Sequence, residues 1–526
     1  MRSSLSLRLP VAAVLVALAL AVSGCGGDSG SSSSTDPASL APAGTPLFVE
    51  GTLRPRGQVK ANVEEIASTV AGIADLGGVI AFQLESEAIS SGESLDFSEE
   101  IEPWLGERAG VFFEGFDGEE LTGYGIALES TDTDATQTFI DKQVKVNDDP
   151  VEDGSYDGVD YWVDSGDDTV MGLIGNFLVV AEGTQAFEHA VDASEGDSLA
   201  DEEAYSEAIS TAAEGSLADV YVDVGSLIEQ GEEQIDDQVL QALKSAGIDP
   251  REATAVASVV PGVDQIEIDI SSDTGGEEAP TGNASELLGS LPADAFAAFA
   301  VSGFGEQLQE ALDELDKTGI PGEVPPGELK SGVEELGFDL DKVVGSLEDA
   351  GLFASGSSEA NIGGAFVLTT GDSREVATAV KVIGALVRQS GTPGVTALSG
   401  GASGFSVRDP EELGPQPLVV ATKDDRVAIG YGIKPTLQAL SGQGGSTLAD
   451  SPDYKAAVAA LGSTPISGFV DGPGALQLAD SFVPSSEDGF EEAKPYLDSI
   501  RFVAIGSGTE GDRVTAKLIV GLEKKK

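Results

Sequence analysis

The chain has one cysteine, one histidine and two tryptophans in 526 residues, and 28 basic side chains against 91 acidic ones. Each scarcity excludes a chemistry. A single cysteine forms no internal disulfide, so packing alone must hold the fold together. His189 stands alone at the end of an apolar run, beside Glu188. It reads as a surface or packing residue, because zinc sites and histidine-based triads need further members. The net charge is −63, and no lysine or arginine occurs between Lys145 and Lys244. Nucleic-acid binding needs cations that displace phosphate counterions, so that class of partner is excluded. The chain carries no Gly-x-Ser-x-Gly elbow, no Gly-Lys-Ser/Thr phosphate loop and no Ser-x-x-Lys dyad. Nothing in it calls for a cofactor.

What is present begins at the N-terminus. Arg2 and Arg8 precede an apolar stretch, Leu9 to Val22, which ends in Val22-Ser23-Gly24-Cys25. A secretory h-region spans roughly 7–15 residues, whereas a membrane span needs about 20. Small residues before a cysteine at the end of such a run make a lipobox. We therefore expect residues 1–24 to be a lipoprotein signal peptide and Cys25 to carry lipid. Two or three acyl chains hold a protein to a membrane effectively permanently, so the expected location is the extracytoplasmic face of the cell membrane. Residues 25–40 include Ser31 to Ser34 and read as a flexible tether.

The other local patterns are weaker. Gly506-Ser507-Gly508-Thr509-Glu510-Gly511 spells a dinucleotide fingerprint, yet an alternating strand pattern follows it where a helix is required, so it reads as a hairpin turn. Asp153, Asp157 and Asp160 lie in a strongly acidic segment and are the candidate ligands for a divalent cation such as calcium. They lack EF-hand spacing, and a solvated loop and strand edge is the favoured reading of them. Trp104 and Trp162 read as packing residues.

The most informative feature is an internal duplication. Pro42-Ala43-Gly44-Thr45-Pro46-Leu47-Phe48-Val49 is matched by Pro292-Ala293-Asp294-Ala295-Phe296-Ala297-Ala298-Phe299. Gly110-Val111-Phe112 is matched by Gly351-Leu352-Phe353, and Leu199-Ala200-Asp201 with Tyr205 by Leu448-Ala449-Asp450 with Tyr454. The halves fall at 41–275 and 285–523, with a linker at 276–284 and a basic tail at 524–526. Helical stripes such as Val376, Val380, Ile383 and Val387 are inserted between paired strands joined by short turns. The expected class is α+β, as two tandem homologous repeats, each a mainly antiparallel sheet with helices packed on it.

The lipobox, the Pro-Ala strand opening, Glu102-Pro103-Trp104-Leu105-Gly106-Glu107-Arg108-Ala109-Gly110-Val111 and Tyr156-Asp157-Gly158-Val159-Asp160-Tyr161 together resemble a family. It is the bacterial, actinobacterial-type lipoproteins called domain of unknown function 3352. The likeness covers nearly all of the mature chain, and the second half departs from it where Val344-Gly345-Ser346-Leu347 replaces the Trp-Leu-Gly segment. The resemblance implies export and fold and supplies no catalytic residue. Three functions stay open: a non-enzymatic, monomeric binding or scaffold protein, a calcium-binding module, and a hydrolase using carboxylates alone. For the first, the partner would be an envelope protein, a cell-wall polymer or an apolar ligand held between helices and sheet.

Overall fold

The computed structural model describes residues 36–90, 95–117, 120–146, 151–166, 168–230, 251–274, 282–319, 325–398, 401–442, 445–482, 488–511 and 513–524. Cys25, the expected signal peptide and the serine run lie outside the described residues. The class is α+β, and contacts divide the chain into two compact units. Unit 1 runs to Pro280 and takes in Thr509–Ala516, whereas unit 2 holds Thr281–Gly508 and resumes at Lys517.

In unit 1 the strands are β1 (Leu47–Thr52), β2 (Leu105–Asp117), β3 (Glu120–Ser130), β4 (Val151–Tyr156), β5 (Val159–Asp164), β6 (Thr169–Ile174), β7 (Phe177–Glu182), β8 (Ala218–Asp223), β9 (Thr254–Pro261) and β10 (Gln265–Asp273). They pair antiparallel in the order β4-β5-β6-β7-β3-β2-β1-β8-β9-β10. The second set is β11 (Ala295–Val301), β12 (Leu347–Ser355), β13 (Gly363–Thr370), β14 (Val395–Ala397), β15 (Ser403–Val407), β16 (Leu418–Lys423), β17 (Arg426–Tyr431), β18 (Ile466–Asp471), β19 (Ile500–Glu510) and β20 (Arg513–Leu522). Their order is β14-β15-β16-β17-β13-β12-β11-β18-β19-β20, the same permutation.

Helices α1 (Gly57–Val70), α2 (Thr133–Val146), α3 (Gly183–Glu195), α4 (Phe304–Thr318), α5 (Leu340–Val344), α6 (Ser373–Gln389), α7 (Ile433–Ser441) and α8 (Pro452–Leu461) carry the stripes that cover these sheets. Capping fixes where they start. Asp372 accepts from the amides of Arg374 and Glu375 at the head of α6, and Pro452 opens α8 where its missing N–H costs nothing.

One face of each sheet meets the main core. In unit 1, Phe48, Phe112 and Tyr221 pack with Phe187 of α3 and with Tyr205, whose ring meets Tyr221 edge-on at 5.1 Å. In the second core, Ala298, Phe353 and Phe469 pack with Leu440 of α7 and Tyr454 of α8, and the Tyr454–Phe469 rings meet edge-on at 5.4 Å. The matched sequence fragments turn out to touch. Pro42 bridges to Ser198 and Pro292 bridges to Thr447. Leu199 N donates to Ala41 O, and Leu448 N to Leu291 O, each at 2.9 Å. Ser198 with Asp201, and Thr447 with Asp450, form capping boxes at these junctions.

Residues 36–40, expected to be the end of a flexible tether, belong to the fold. Asp36 caps the turn Pro37–Leu40, and Ala38 and Leu40 are buried in the unit 1 core. Burying a leucine contributes about 1.5–3 kcal/mol, enough to dock a short segment that also has a cap. Asp36 further pairs with Arg108 of β2, which holds Glu50 of β1.

Candidate functional site

The residues singled out in the sequence are spread apart. Asp153 and Asp160 lie on the β4–β5 hairpin, opposite Trp162 and Ser155 respectively. Asp157 sits at its tip with φ 42°, followed by Gly158 at φ 87°. Two consecutive positive φ values make the Asp-Gly pair a two-residue hairpin turn, which is the local reason for that sequence. The tip leans on α3. Tyr156 Oη donates to Asp192 at 3.1 Å, and a hydrogen bond to Asp157 pushes the Glu195 carboxyl above the usual carboxylate range. Among the described residues, no group of three or more His, Cys, Asp or Glu side chains is placed to hold a metal ion.

His189 Nδ1 lies 2.9 Å from Glu114 Oε2, a contact between α3 and β2. Trp104 is buried with Ile140 of α2, Met171 and Leu178, and its Nε1 donates to Glu100 O at 2.6 Å. Trp162 packs half-buried against the same group. The glycine-rich stretch at 506–511 runs along β19 and ends at Gly511 with φ 66°, between β19 and β20, so no helix terminus stands behind it. Carboxyls with raised pKa are dispersed. Burial lifts Glu50 against the pull of Arg108, and burial lifts Asp471 while Gly474 N donates to it at 2.8 Å.

A different site emerges from the sheet face opposite the main core. Side chains two apart on a strand share a face, so cross-strand register sorts that face into rows. In the second sheet the first row is Val301, Ala350, Leu368 and Val427. Ala350, Leu368 and Val427 are buried beneath Val376 and Val380 of α6, with Val343 of α5 and Phe304 of α4 alongside, whereas Val301 on β11 is 46% exposed. The second row is Phe299, Leu352, Phe366 and Ile429. Phe304 meets Phe366 edge-on at 5.5 Å, marking where the helical cover stops. On either side of Phe366 the row is open: Phe299 is 39% exposed, Leu352 52% and Ile429 44%. The third row is Ala297, Ala354, Gly364 and Tyr431, all half-buried. Small side chains beside a row of large ones leave an apolar trough across β11, β12, β13 and β17. Exposed apolar surface of this kind marks interaction sites rather than ordinary solvent surface.

Unit 1 presents the same rows filled in. Its second row is Val49, Val111, Ile126 and Val180, with Val111 0% and Ile126 3% exposed. Its third row begins Leu47, Phe113 and Tyr124 where the other sheet has Ala297, Ala354 and Gly364. The sequence reading missed this site. The signal was available one residue beyond a recognised match, since Gly110-Val111-Phe112 continues to Phe113 and Gly351-Leu352-Phe353 continues to Ala354.

Comparison with known proteins gives a family and little more. The family model described as Protein of unknown function (DUF3352) matches residues 81–520. No curated protein matches the chain. Crystal form I of TP0453 is similar at 12% identity over 47% of this chain and 82% of that one, with a TM-score of 0.24. Crystal form IV gives 10%, 46%, 81% and 0.26. At such TM-scores the likeness carries no argument about fold or function. Among the described residues, no helix is long and apolar enough to cross a membrane.

Proposed function

Because this chain belongs to the family described as Protein of unknown function (DUF3352), whose name assigns no chemistry, we propose its role from its own features: a lipid-anchored, extracytoplasmic envelope protein that binds an apolar ligand and is not an enzyme. The observation that carries this reading is the open row Phe299, Leu352 and Ile429 beside the small residues Ala297, Ala354 and Gly364. A folded protein gains by covering large apolar side chains, and the other sheet covers the corresponding row. The anchor is the lipidated Cys25 of the lipobox, joined to the fold by a tether that ends at Asp36. The two halves descend from a duplication. Identical strand order, the paired Pro-Ala and Leu-Ala-Asp junctions and the equivalent Tyr205 and Tyr454 packings support this.

Two measurements test the proposal. An environment-sensitive apolar dye should bind the whole protein with a signal that Leu352→Asp abolishes while the fold is kept. An unchanged dye signal would remove the trough from the account. Radiolabelled fatty acid should enter the wild-type protein in cells and not the Cys25→Ser variant, and equal labelling of both would refute the anchor.

A further inference from the structure

We infer that the occupant of the trough is one unbranched alkyl tail with a zwitterionic or uncharged head, lying across β11, β12, β13 and β17. This rests on the binding role proposed above. Length comes from the sheet. Strands about 4.8 Å apart make the four-strand row about 14 Å long. A zigzag of ~1.5 Å carbon–carbon bonds advances about 1.25 Å per carbon, so about eleven or twelve carbons fill it. Width comes from the rows, because same-face neighbours two residues apart on a strand are about 6.6 Å apart, room for one chain. The floor is Ala297, Ala354 and Gly364, and its far end is Tyr431, whose hydroxyl accepts from Gln416 N at 3.1 Å. That end offers a polar rim where a head group can meet water.

Area and charge decide against the alternatives. A stable protein interface takes about 800 Å² and roughly 20–30 residues from each partner. Two rows of side chains on four strands, stepped beneath α4 and α6, fall well short, which excludes a second copy of the chain docked on this face. The net charge of −63 disfavours an anionic head.

Lysophosphatidylcholines with tails of about 6 to 16 carbons, each below its micelle concentration, are titrated into the full-length protein by calorimetry. Affinity should rise about three- to fourfold per added methylene and then level off near twelve carbons. Fatty acids of equal tail length should bind more weakly, by a margin that narrows with salt. Ala354→Phe restores the bulk found at Phe113 and should weaken binding at least about tenfold. If that variant fails to fold, Ala297→Leu blocks the same floor. Affinity that ignores tail length, or that survives both substitutions, overturns the inference. A bulky dye that still binds and is still lost in Leu352→Asp, with no dependence on tail length, overturns the alkyl tail and leaves the apolar site standing. Absence of binding by every apolar probe overturns both.

Discussion

Two sheets with one strand order have opposite fortunes on the same face. In unit 1 the row Val49, Val111 and Ile126 is covered, and its neighbours Leu47, Phe113 and Tyr124 are large. In the other sheet Phe299, Leu352 and Ile429 of the matching row are open, and the neighbouring row holds Ala297, Ala354 and Gly364. Bulk has moved by one row. The lesson is that two sheets of one strand order can have matching main cores, with Tyr205 and Tyr454 in equivalent places, while one of them leaves its second face less packed. Giving up packing costs stability, which is the ground on which the binding role is proposed.

The comparison breaks most readily by putting charge in the two rows. Val111→Asp buries a carboxylate without a partner and should cost about 4 kcal/mol or more. Leu352→Asp, on the matching residue of the other sheet, should cost less than about 1 kcal/mol because water reaches it. Denaturant melts of both variants decide the matter, and equal losses would show that the rows are not different. The next effect is the exchange of bulk. Phe113→Ala leaves a cavity and should cost about 3 kcal/mol, whereas Ala354→Phe should change stability by less than about 1.5 kcal/mol. A third pair sharpens the likeness instead. Asp201→Ala and Asp450→Ala each remove one capping box and should each cost about 1 kcal/mol. Unequal costs would mean that the two junctions are not equivalent.

Much of this architecture can be read in the amino acids. The stripe Val376, Val380, Ile383 and Val387 does form α6, and the hairpin pattern near the C-terminus does form β19 and β20. Matched fragments such as Leu199-Ala200-Asp201 and Pro42-Ala43 find each other because a paired backbone edge needs both partners. The trough was hidden for a physical reason. Alternation along β12 says that Leu352 and Ala354 share a face, but not which strands flank them, and the order β13-β12-β11 arises from pairings far apart in sequence. Exposure of Leu352 depends on where α4 to α6 stop, which no local pattern records. The burial of Ala38 and Leu40 is hidden for the same reason, since it depends on a core assembled from distant strands.

The smallest expected effect concerns acid. Glu195 has its pKa raised by a hydrogen bond with Asp157, so the folded state holds that proton more tightly than the unfolded chain does. The contact between the β4–β5 tip and α3 should therefore strengthen as pH falls through the raised value, and the gain is complete below the unfolded value. Hydrogen exchange at the tip amides should slow, relative to the rest of the chain, on going from neutral pH to about pH 4, and this extra slowing should vanish in Glu195→Gln.

The central claim is that one sheet keeps an apolar face open where its counterpart has closed it. Photolabelling of the intact protein with a small apolar diazirine, followed by peptide mapping, tests it most directly. The account predicts adducts on Phe299, Leu352 and Ile429 and none on Val111 and Ile126. Equal labelling of both rows, or labelling of neither, would contradict it.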